Sequence, residues 1–399
     1  MEKGIPHLYI ELNKKSCILV AGYLEENQNF KVKEKTISSW KNPNSDILDN
    51  FNELETTIQK DLKIVEKKLN FIFKDITLIL DDLKYSCINI SGYKKLNGSQ
   101  LLKENITYIL NSLKLSVSEN EQKKTILHIF NSKSILDGNI LDNLPIGLFG
   151  NFYIHELTFI LVEDNTLKNI KKAFGKSNLK IKKVFIKNFV EGVQLTKLDN
   201  KDENILVLKI RKKNSQIFFF EKGSIRFLEQ FNFGTDIIIQ DIAKICSLRP
   251  ETIYKMLSNE IFIEEKYEEN DLIDKKNFEG ENFRKIRKQL FKEISDARIE
   301  EIIKIILHNN INTKIFKKDI KKIFFFVDEK DILKNFKKIF LKHLSQNNKF
   351  ETQTVNEFDL ENTIIETANL SNFGWRKEAI PITHTKTTLI SRIFKYIFG

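Results

Sequence analysis

Two short turns carry the basic residues that could bind phosphate. Lys14 and Lys15 separate two apolar runs near the N-terminus, and Arg211, Lys212 and Lys213 separate two others near the middle of the chain. Lysine and arginine can bind phosphate groups through charge alone. The same pattern is typical of exposed hairpin turns filled with lysine, and we favour that interpretation for both turns.

Other residues with reactive side chains form no recognisable catalytic group. Asp81 and Asp82 could act as a carboxylate pair, but a turn at the end of a strand explains them better. His128 and His155 lie on predicted strands, where we expect core or edge residues. The cysteines are far apart and form no CxxC pair, which argues against a disulfide framework and a zinc site and predicts buried free thiols: Cys17, Cys87 and Cys246.

The composition is that of a globular protein large enough for two or three domains. Of 399 residues, 41% are hydrophobic and 30% are charged, and no apolar run approaches the roughly 20 residues that span a bilayer. The first residues show no secretory signal, so we expect the chain to stay in the cytoplasm. The net charge of +11 comes from lysines interleaved with acidic residues. We therefore expect solvated surface charge rather than nucleic-acid binding.

A repeated order of elements predicts a duplicated α/β architecture. Residues 8–37 read as a three-stranded meander, and residues 45–69 follow with a helical period. The same order returns with strands over 205–231 and a helix over 236–247. Two such halves indicate a duplicated α/β architecture with a cleft between them.

The remaining segments are assigned from their periodicity. Between the halves we predict an inserted α+β subdomain, with strands over 78–90, 125–130 and 155–162 and a helix over 99–113. Later segments are predicted as a helix over 250–256, a long amphipathic helix over 282–307, a strand over 323–327 and a helix over 331–344.

The C-terminal residues have the pattern of a helix that lies in a membrane interface. Residues 376–387 are polar and aperiodic, which predicts a linker. The next residues place large apolar side chains on one helical face and cationic ones opposite. The residues predicted to contact the membrane are Leu389, Ile390, Arg392, Ile393, Phe394, Lys395, Ile397 and Phe398. A helix this short binds weakly, so stable attachment requires several tails and therefore self-association.

Several motifs resemble those of the bacterial cell division protein FtsA, an actin-like family that tethers FtsZ filaments to the inner membrane. Residues 126–129, 136–138 and 144–150 are similar to the family's "ILHxxP…VDG…NPxGMxG" signature, the most specific match. Residues 233–243 resemble "GGxxxTxDIA", and residues 295–302 resemble "aRxxEI". The tail is similar to the family's membrane-targeting helix.

The resemblance implies an α/β, actin-like fold of duplicated ribonuclease H-like halves with an inserted α+β 1C subdomain of the SHS2 type. It implies the following subdomains: 1A from 1–83, 167–195 and about 355–375, 1C from 84–166, 2A from 196–245 and 310–354, and 2B from 246–309. A linker over 376–387 and a membrane helix over 388–398 complete this division.

The glycine-rich loops that hold ATP and magnesium in such proteins are degenerate here. The chain has 14 glycines, where an average usage of about 7% would give about 28. The family's "DxGTS", "DxGGGTT" and "TGGG" turns are replaced by sequences without glycine. The residues at the three former phosphate-loop positions are Glu11, Asn13, Lys14, Lys209, Arg211, Lys212, Lys213 and Asp328. We therefore expect no cofactor, no catalytic residues and no bound metal.

The resemblance also implies partners. FtsZ's C-terminal peptide would bind subdomain 2B, where a basic stretch is a candidate contact: Arg284, Lys285, Arg287 and Lys288. Other division proteins would bind subdomain 1C, and the tail would bind an anionic membrane at the cytoplasmic face of the inner membrane. Two alternatives stay open: a functional actin-fold ATPase that regulates divisome assembly, and a PilM-like pilus assembly protein.

Overall fold

Two five-stranded sheets with the same strand order confirm the predicted duplication. The computed structural model describes residues 4–25, 29–41, 51–198, 204–258, 267–268, 270–278, 280–327, 351–355 and 359–379. The first sheet has the order β3-β2-β1-β4-β9, formed by β1 His7–Leu12, β2 Ser16–Leu24, β3 Phe30–Ser39, β4 Asp75–Leu80 and β9 Lys180–Ile186. The second has the order β12-β11-β10-β13-β14, formed by β10 Ile205–Ile210, β11 Ser215–Glu221, β12 Ser224–Phe231, β13 Lys322–Val327 and β14 Glu351–Thr354.

In both sheets an antiparallel meander is joined to parallel strands. β1 pairs antiparallel with β2 and parallel with β4, and β10 pairs antiparallel with β11 and parallel with β13. The carboxyl ends of parallel strands meet at one edge of a sheet, so residues that follow β1, β4 and β9 come together although they are distant in sequence.

A smaller sheet forms the inserted α+β unit. Its order is β5-β8-β6-β7, formed by β5 Tyr85–Lys95, β6 Lys124–Leu136, β7 Asn139–Leu141 and β8 Phe152–Glu163. The described helices are α1 Phe51–Leu69, α2 Lys103–Asn120, α3 Asp164–Gly175, α4 Lys187–Leu198, α5 Asp236–Cys246, α6 Pro250–Ser258, α7 Lys288–Ile303, α8 Ile311–Phe316 and α9 Leu360–Phe373. Helix α2 packs its apolar face on the smaller sheet.

Contacts divide the chain into two compact units. The first comprises Met1–Cys87 and Lys168–Phe373, and it contains both five-stranded sheets. The second comprises Ile88–Leu167 and Gly374–Gly399, and it contains most of the smaller sheet. No described helix is long and apolar enough to span a bilayer.

Two element predictions are wrong. The run 78–90 is not one strand, because β4 ends at Leu80 and β5 begins at Tyr85, with Asp81 and Asp82 between them. The long helix over 282–307 begins only at Lys288, since the preceding residues are extended, and it continues as a π-helical turn over Lys304–His308. The helix predicted over 331–344 lies outside the described residues.

The first residues of the predicted linker lie on the second unit's sheet. Asn131 donates a backbone hydrogen bond to Lys377, and Ala379 donates one to Ile129. Between them Glu378 forms a β-bridge with Phe130 of β6, and its Oε1 accepts a hydrogen bond of 2.7 Å from the buried Nδ1 of His128. Residues 377–379 therefore extend the sheet at the β6 edge.

Candidate functional site

Seven charged side chains gather where the two duplicated halves of the first unit meet. They come from the ends of β1 and β4, from α4, and from the end of β10, and we call them the ion cluster: Glu11, Asp81, Asp82, Lys187, Glu191, Lys209 and Arg211. Four are acidic and three are basic. Each charge is removed from bulk water and paired with an opposite one, as burial of charge requires.

Lys209 and Glu191 form the most buried pair of the ion cluster. Lys209 is the fifth residue of the apolar strand β10 and its side chain is 1% exposed, while Glu191 on α4 is 2% exposed. The Lys209 ammonium donates a hydrogen bond to the Glu191 carboxylate. Burial raises the pKa of Glu191, against the opposing effect of the Lys209 and Lys187 charges. This pair joins a strand of one half to a helix of the other.

Arg211 links the turn after β10 to the turn after β4. Its Nη2 donates to Asp81 Oδ2 over 2.9 Å, and its Nη1 donates to the Asp82 carboxylate. Burial opposes ionisation of Asp81, but the charges of Arg211, Lys187 and Lys209 hold its pKa below the ordinary value. Burial and the neighbouring Asp81 charge raise the pKa of Asp82. The Arg211 guanidinium therefore donates hydrogen bonds to the carboxylates of both aspartates.

Lys187 completes the ion cluster at the start of α4. Its Nζ donates to Glu11 Oε1 over 2.7 Å and lies 3.7 Å from Asp81 Oδ2. Although burial disfavours the charged amine, the Glu11 and Asp81 charges raise the pKa of Lys187. The ammonium is therefore held in its charged form between two carboxylates.

The turn between β1 and β2 satisfies its own backbone. The Asn13 side chain Oδ1 accepts hydrogen bonds from the backbone N–H groups of Lys15 and Ser16, over 2.9 Å and 2.8 Å. Its Nδ2 donates to Glu11 Oε1 over 3.1 Å. Amide groups that would face a phosphate in a glycine-rich turn are thus already bonded within the turn.

The turn between β10 and β11 is covered by the start of α5. Backbone N–H groups of Thr235 and Asp236 donate to the carbonyls of Arg211 and Lys212, over 3.0 Å and 2.9 Å. A Cβ at Gly234 would lie 2.0 Å from the Arg211 carbonyl oxygen, so only glycine permits this approach. The prediction of an exposed turn holds for Lys212 and Lys213 and is wrong for Arg211, whose side chain is 13% exposed and ion-paired.

The residues at these positions do not fit a magnesium nucleotide. Lys209 stands where the resemblance requires a metal-binding aspartate, and its charge is directed to Glu191. The Asp81 and Asp82 carboxylates bind Arg211. In the turn between β1 and β2, the backbone amides of Lys15 and Ser16 are already bonded to the Asn13 side chain. Asp328, the candidate in the third loop, lies outside the described residues.

The predicted partner-binding residues are spread over different surroundings. Arg284 Nη1 donates to the carbonyls of Cys246 and Ser247 at the end of α5, with a distance of 3.1 Å to Cys246. Lys285 and Arg287 are exposed in the extended segment before α7, and Lys288 begins α7. The predicted membrane residues 389–398 lie outside the described residues.

Arg298 and Glu301 have a structural role. Arg298 pairs with Asp241 on α5, and its Nη1 lies 2.6 Å from Glu301 Oε2. The ion pair between Arg298 and Asp241 ties α7 to α5.

A buried histidine gives the second unit a pH dependence. His155 on β8 is 1% exposed, and neither ring nitrogen has a hydrogen-bond partner among the described residues. Burial lowers the pKa of His155 to about 4, from 6.5. The unfolded chain therefore binds more protons than the folded chain as the pH falls below 6.5, and stability is lost until the folded pKa is passed.

We predict that acidification from pH 7 to pH 4 costs about 3 kcal/mol at this residue alone. Hydrogen exchange of the β8 amides at the two pH values measures the loss of protection. His155→Leu should lose less protection than the native chain over this range. An equal loss in the two proteins would contradict the assignment.

Comparisons of the sequence with known proteins find relatives of low identity. No protein-family model matches the chain. Cell division protein FtsA of Buchnera aphidicola subsp. Schizaphis graminum is 20% identical over 234 residues, which are 59% of this chain and 56% of that protein. Cell division protein FtsA of Escherichia coli strain K12 is 20% identical over 195 residues, 48% of this chain and 46% of that protein. The chain thus spans about half the length of the curated relatives it matches.

A solved structure of the PilM-PilN type IV pilus biogenesis complex covers more of the fold. A chain of that complex superposes with a TM-score of 0.54 at 9% identity, over 91% of this chain and 95% of its own length. Together with the duplicated sheets, this likeness defines the class of protein: it has an actin-like fold. Within that class, the chain is similar in sequence to the cell division proteins named FtsA and similar in fold to a chain of the PilM-PilN complex.

Proposed function

We propose that this chain is a peripheral membrane adaptor of bacterial cell division that tethers FtsZ filaments to the inner membrane without binding or hydrolysing ATP. It would act at the cytoplasmic face of the membrane, at the division site, and help assemble the septum. The curated relatives named FtsA support the role in division.

The observation that carries the proposal is the ion cluster. Two of its three cations, Lys209 and Arg211, stand at former phosphate-loop positions, and Lys187 lies beside them at the start of α4. Each of the three is bound to an internal carboxylate. Accommodating a triphosphate there would break these pairs and leave buried carboxylates beside the phosphate charge, which is strongly unfavourable. The internal pairs therefore join the halves in place of a nucleotide.

The proposed adaptor would have two binding regions, one for the membrane and one for FtsZ. Residues 388–398 would bind an anionic membrane, and subdomain 2B would bind the C-terminal peptide of FtsZ. Because Arg284 already bonds to the end of α5, Lys285 and Arg287 are the better candidates for an acidic peptide. Self-association would place several weakly binding tails on one membrane surface and so strengthen attachment. Subdomain 1C would contact other division proteins.

Two alternatives make different predictions. A functional actin-fold ATPase would bind magnesium-ATP, and a PilM-like pilus assembly protein would recruit a pilus component instead of FtsZ. The first is tested by titrating the full chain with a fluorescent ATP analogue and magnesium, with an ATP-binding actin-like protein as positive control. We expect no saturable binding, and a Kd below about 100 μM would contradict the proposal.

A further inference from the structure

Helix α8 presents an exposed stripe of isoleucine and lysine. Ile311, Lys314 and Ile315 follow the spacing i, i+3 and i+4, which places them on one helical face, and Lys318 follows in the turn after the helix. All four are exposed, and Ile311 and Ile315 are 73% and 63% exposed. Isolated exposed isoleucines are common, but two on one face of a short helix, alternating with lysine, form a continuous amphipathic surface.

The helix is held firmly from its other face. Phe316 packs against the rings of Phe219 and Phe227, with centroids 5.3 Å and 5.7 Å away. The Asn310 side chain accepts a hydrogen bond of 3.0 Å from Thr313 N and so caps the helix. The isoleucines are therefore exposed because the packed face fixes the orientation of the helix.

The surroundings of the stripe are positively charged. Residues 309–322 contain five lysines and one acidic residue, Asp319. Burial, and then the charges of Lys317 and Lys304, lower the pKa of His308, which places both lysines near it. The nearby Glu229 carboxylate accepts hydrogen bonds from Asn310 and Asn312.

We infer that this surface is a second membrane contact that binds anionic lipid headgroups. We call it the α8 patch and define it by its exposed residues: Lys304, Ile305, Ile311, Lys314, Ile315, Lys317 and Lys318. The lysines contact the headgroups while Ile311 and Ile315 insert at the interface, as in interfacial amphipathic helices. A nucleic acid would use the lysines but gain nothing from two exposed isoleucines.

The α8 patch deepens the proposed function and rests on it for the membrane as partner. One short interfacial helix gives only weak attachment, and stable attachment generally needs two signals. A second contact in the same chain raises the effective concentration of the first at the lipid surface. Attachment would then depend on anionic lipid as well as on the tail.

The test is a vesicle flotation assay with the full chain. Vesicles of phosphatidylcholine with phosphatidylglycerol are compared with phosphatidylcholine alone. The α8 patch is changed by Ile311→Ser with Ile315→Ser, or by Lys314→Gln with Lys318→Gln. The tail is changed separately by Ile393→Asp with Phe394→Asp. Ile72→Ser is the matched control, because Ile72 is 75% exposed and lies outside the α8 patch, between α1 and β4.

The serine pair should weaken binding to anionic vesicles on the order of tenfold, and the glutamine pair should weaken it about fivefold for each lysine. The control should bind as the native chain does. The tail variant should keep weak binding to anionic vesicles. This residual binding should be lost when the substitutions in the α8 patch are combined with those in the tail.

Distinct outcomes separate the two contacts. If both α8 variants bind anionic vesicles as the native chain does, the α8 patch is not a membrane contact, whatever the tail does. The same conclusion follows if the α8 changes reduce self-association or DNA binding while flotation is unchanged. If the tail variant floats normally, the tail proposal fails while the α8 patch stands. Circular dichroism and thermal unfolding confirm that each variant is folded.

Discussion

Replacing Lys209 with methionine should lower the free energy of unfolding by about 3 to 5 kcal/mol, because it leaves the buried Glu191 carboxylate without its partner. Both side chains are almost fully buried in the first unit. The loss should shrink as the pH falls. Burial already raises the pKa of Glu191, so a folded chain without Lys209 takes up a proton there before the unfolded chain does.

A double substitution separates the charge effect from packing. Lys209→Met with Glu191→Leu removes both charges, and we expect stability near or above that of the native chain. Lys213→Met is the matched control, since Lys213 is exposed in the adjoining turn and should change stability by about 0.5 kcal/mol or less. Chemical denaturation of the four proteins measures these values. A single variant as stable as the native chain, or a double variant no better than the single, would contradict the role of the pair.

Removing the tail should abolish recruitment of FtsZ filaments to vesicles. The apolar face of the predicted helix is the main source of its membrane affinity, so ending the chain at Thr387 leaves FtsZ bound to protein that no longer stays on lipid. Substitutions give a matched comparison within the full chain. Ile393→Asn, on the apolar face, should reduce recruitment on the order of tenfold. Ser391→Asn, on the polar face, should leave recruitment nearly unchanged.

Sequence periodicity was sufficient for the two meanders because most of their strands, such as β1, β2, β10 and β11, are largely apolar. The outer strands β9 and β14 were not predicted, since β9 carries three lysines and β14 is polar. The strands predicted over 205–231 are β10, β11 and β12, which together span the same residues. The same reasoning merged β4 and β5, since apolar residues flank Asp81 and Asp82 on both sides. Asp81 and Asp82 lie between the two strands, where the interpretation as a turn at a strand end had placed them, and both bind Arg211 there.

The ion cluster was missed because its members are distant in sequence and meet only through the parallel strands. One signal was available. Lys209 interrupts the apolar run of β10 and Glu11 interrupts that of β1, and a charge inside a buried strand requires a partner of opposite sign. Sequence alone does not identify that partner, since Lys187 and Glu191 are placed by the packing of α4 and not by a motif.

The central claim is that the chain bridges FtsZ and membrane independently of nucleotide. Co-pelleting FtsZ filaments with vesicles and the full chain, with and without magnesium-ATP, tests it most directly, with the chain ending at Thr387 as the negative control. We predict that the same fraction of FtsZ pellets with vesicles in both conditions. Recruitment that requires ATP, or that ATP abolishes, would contradict the claim.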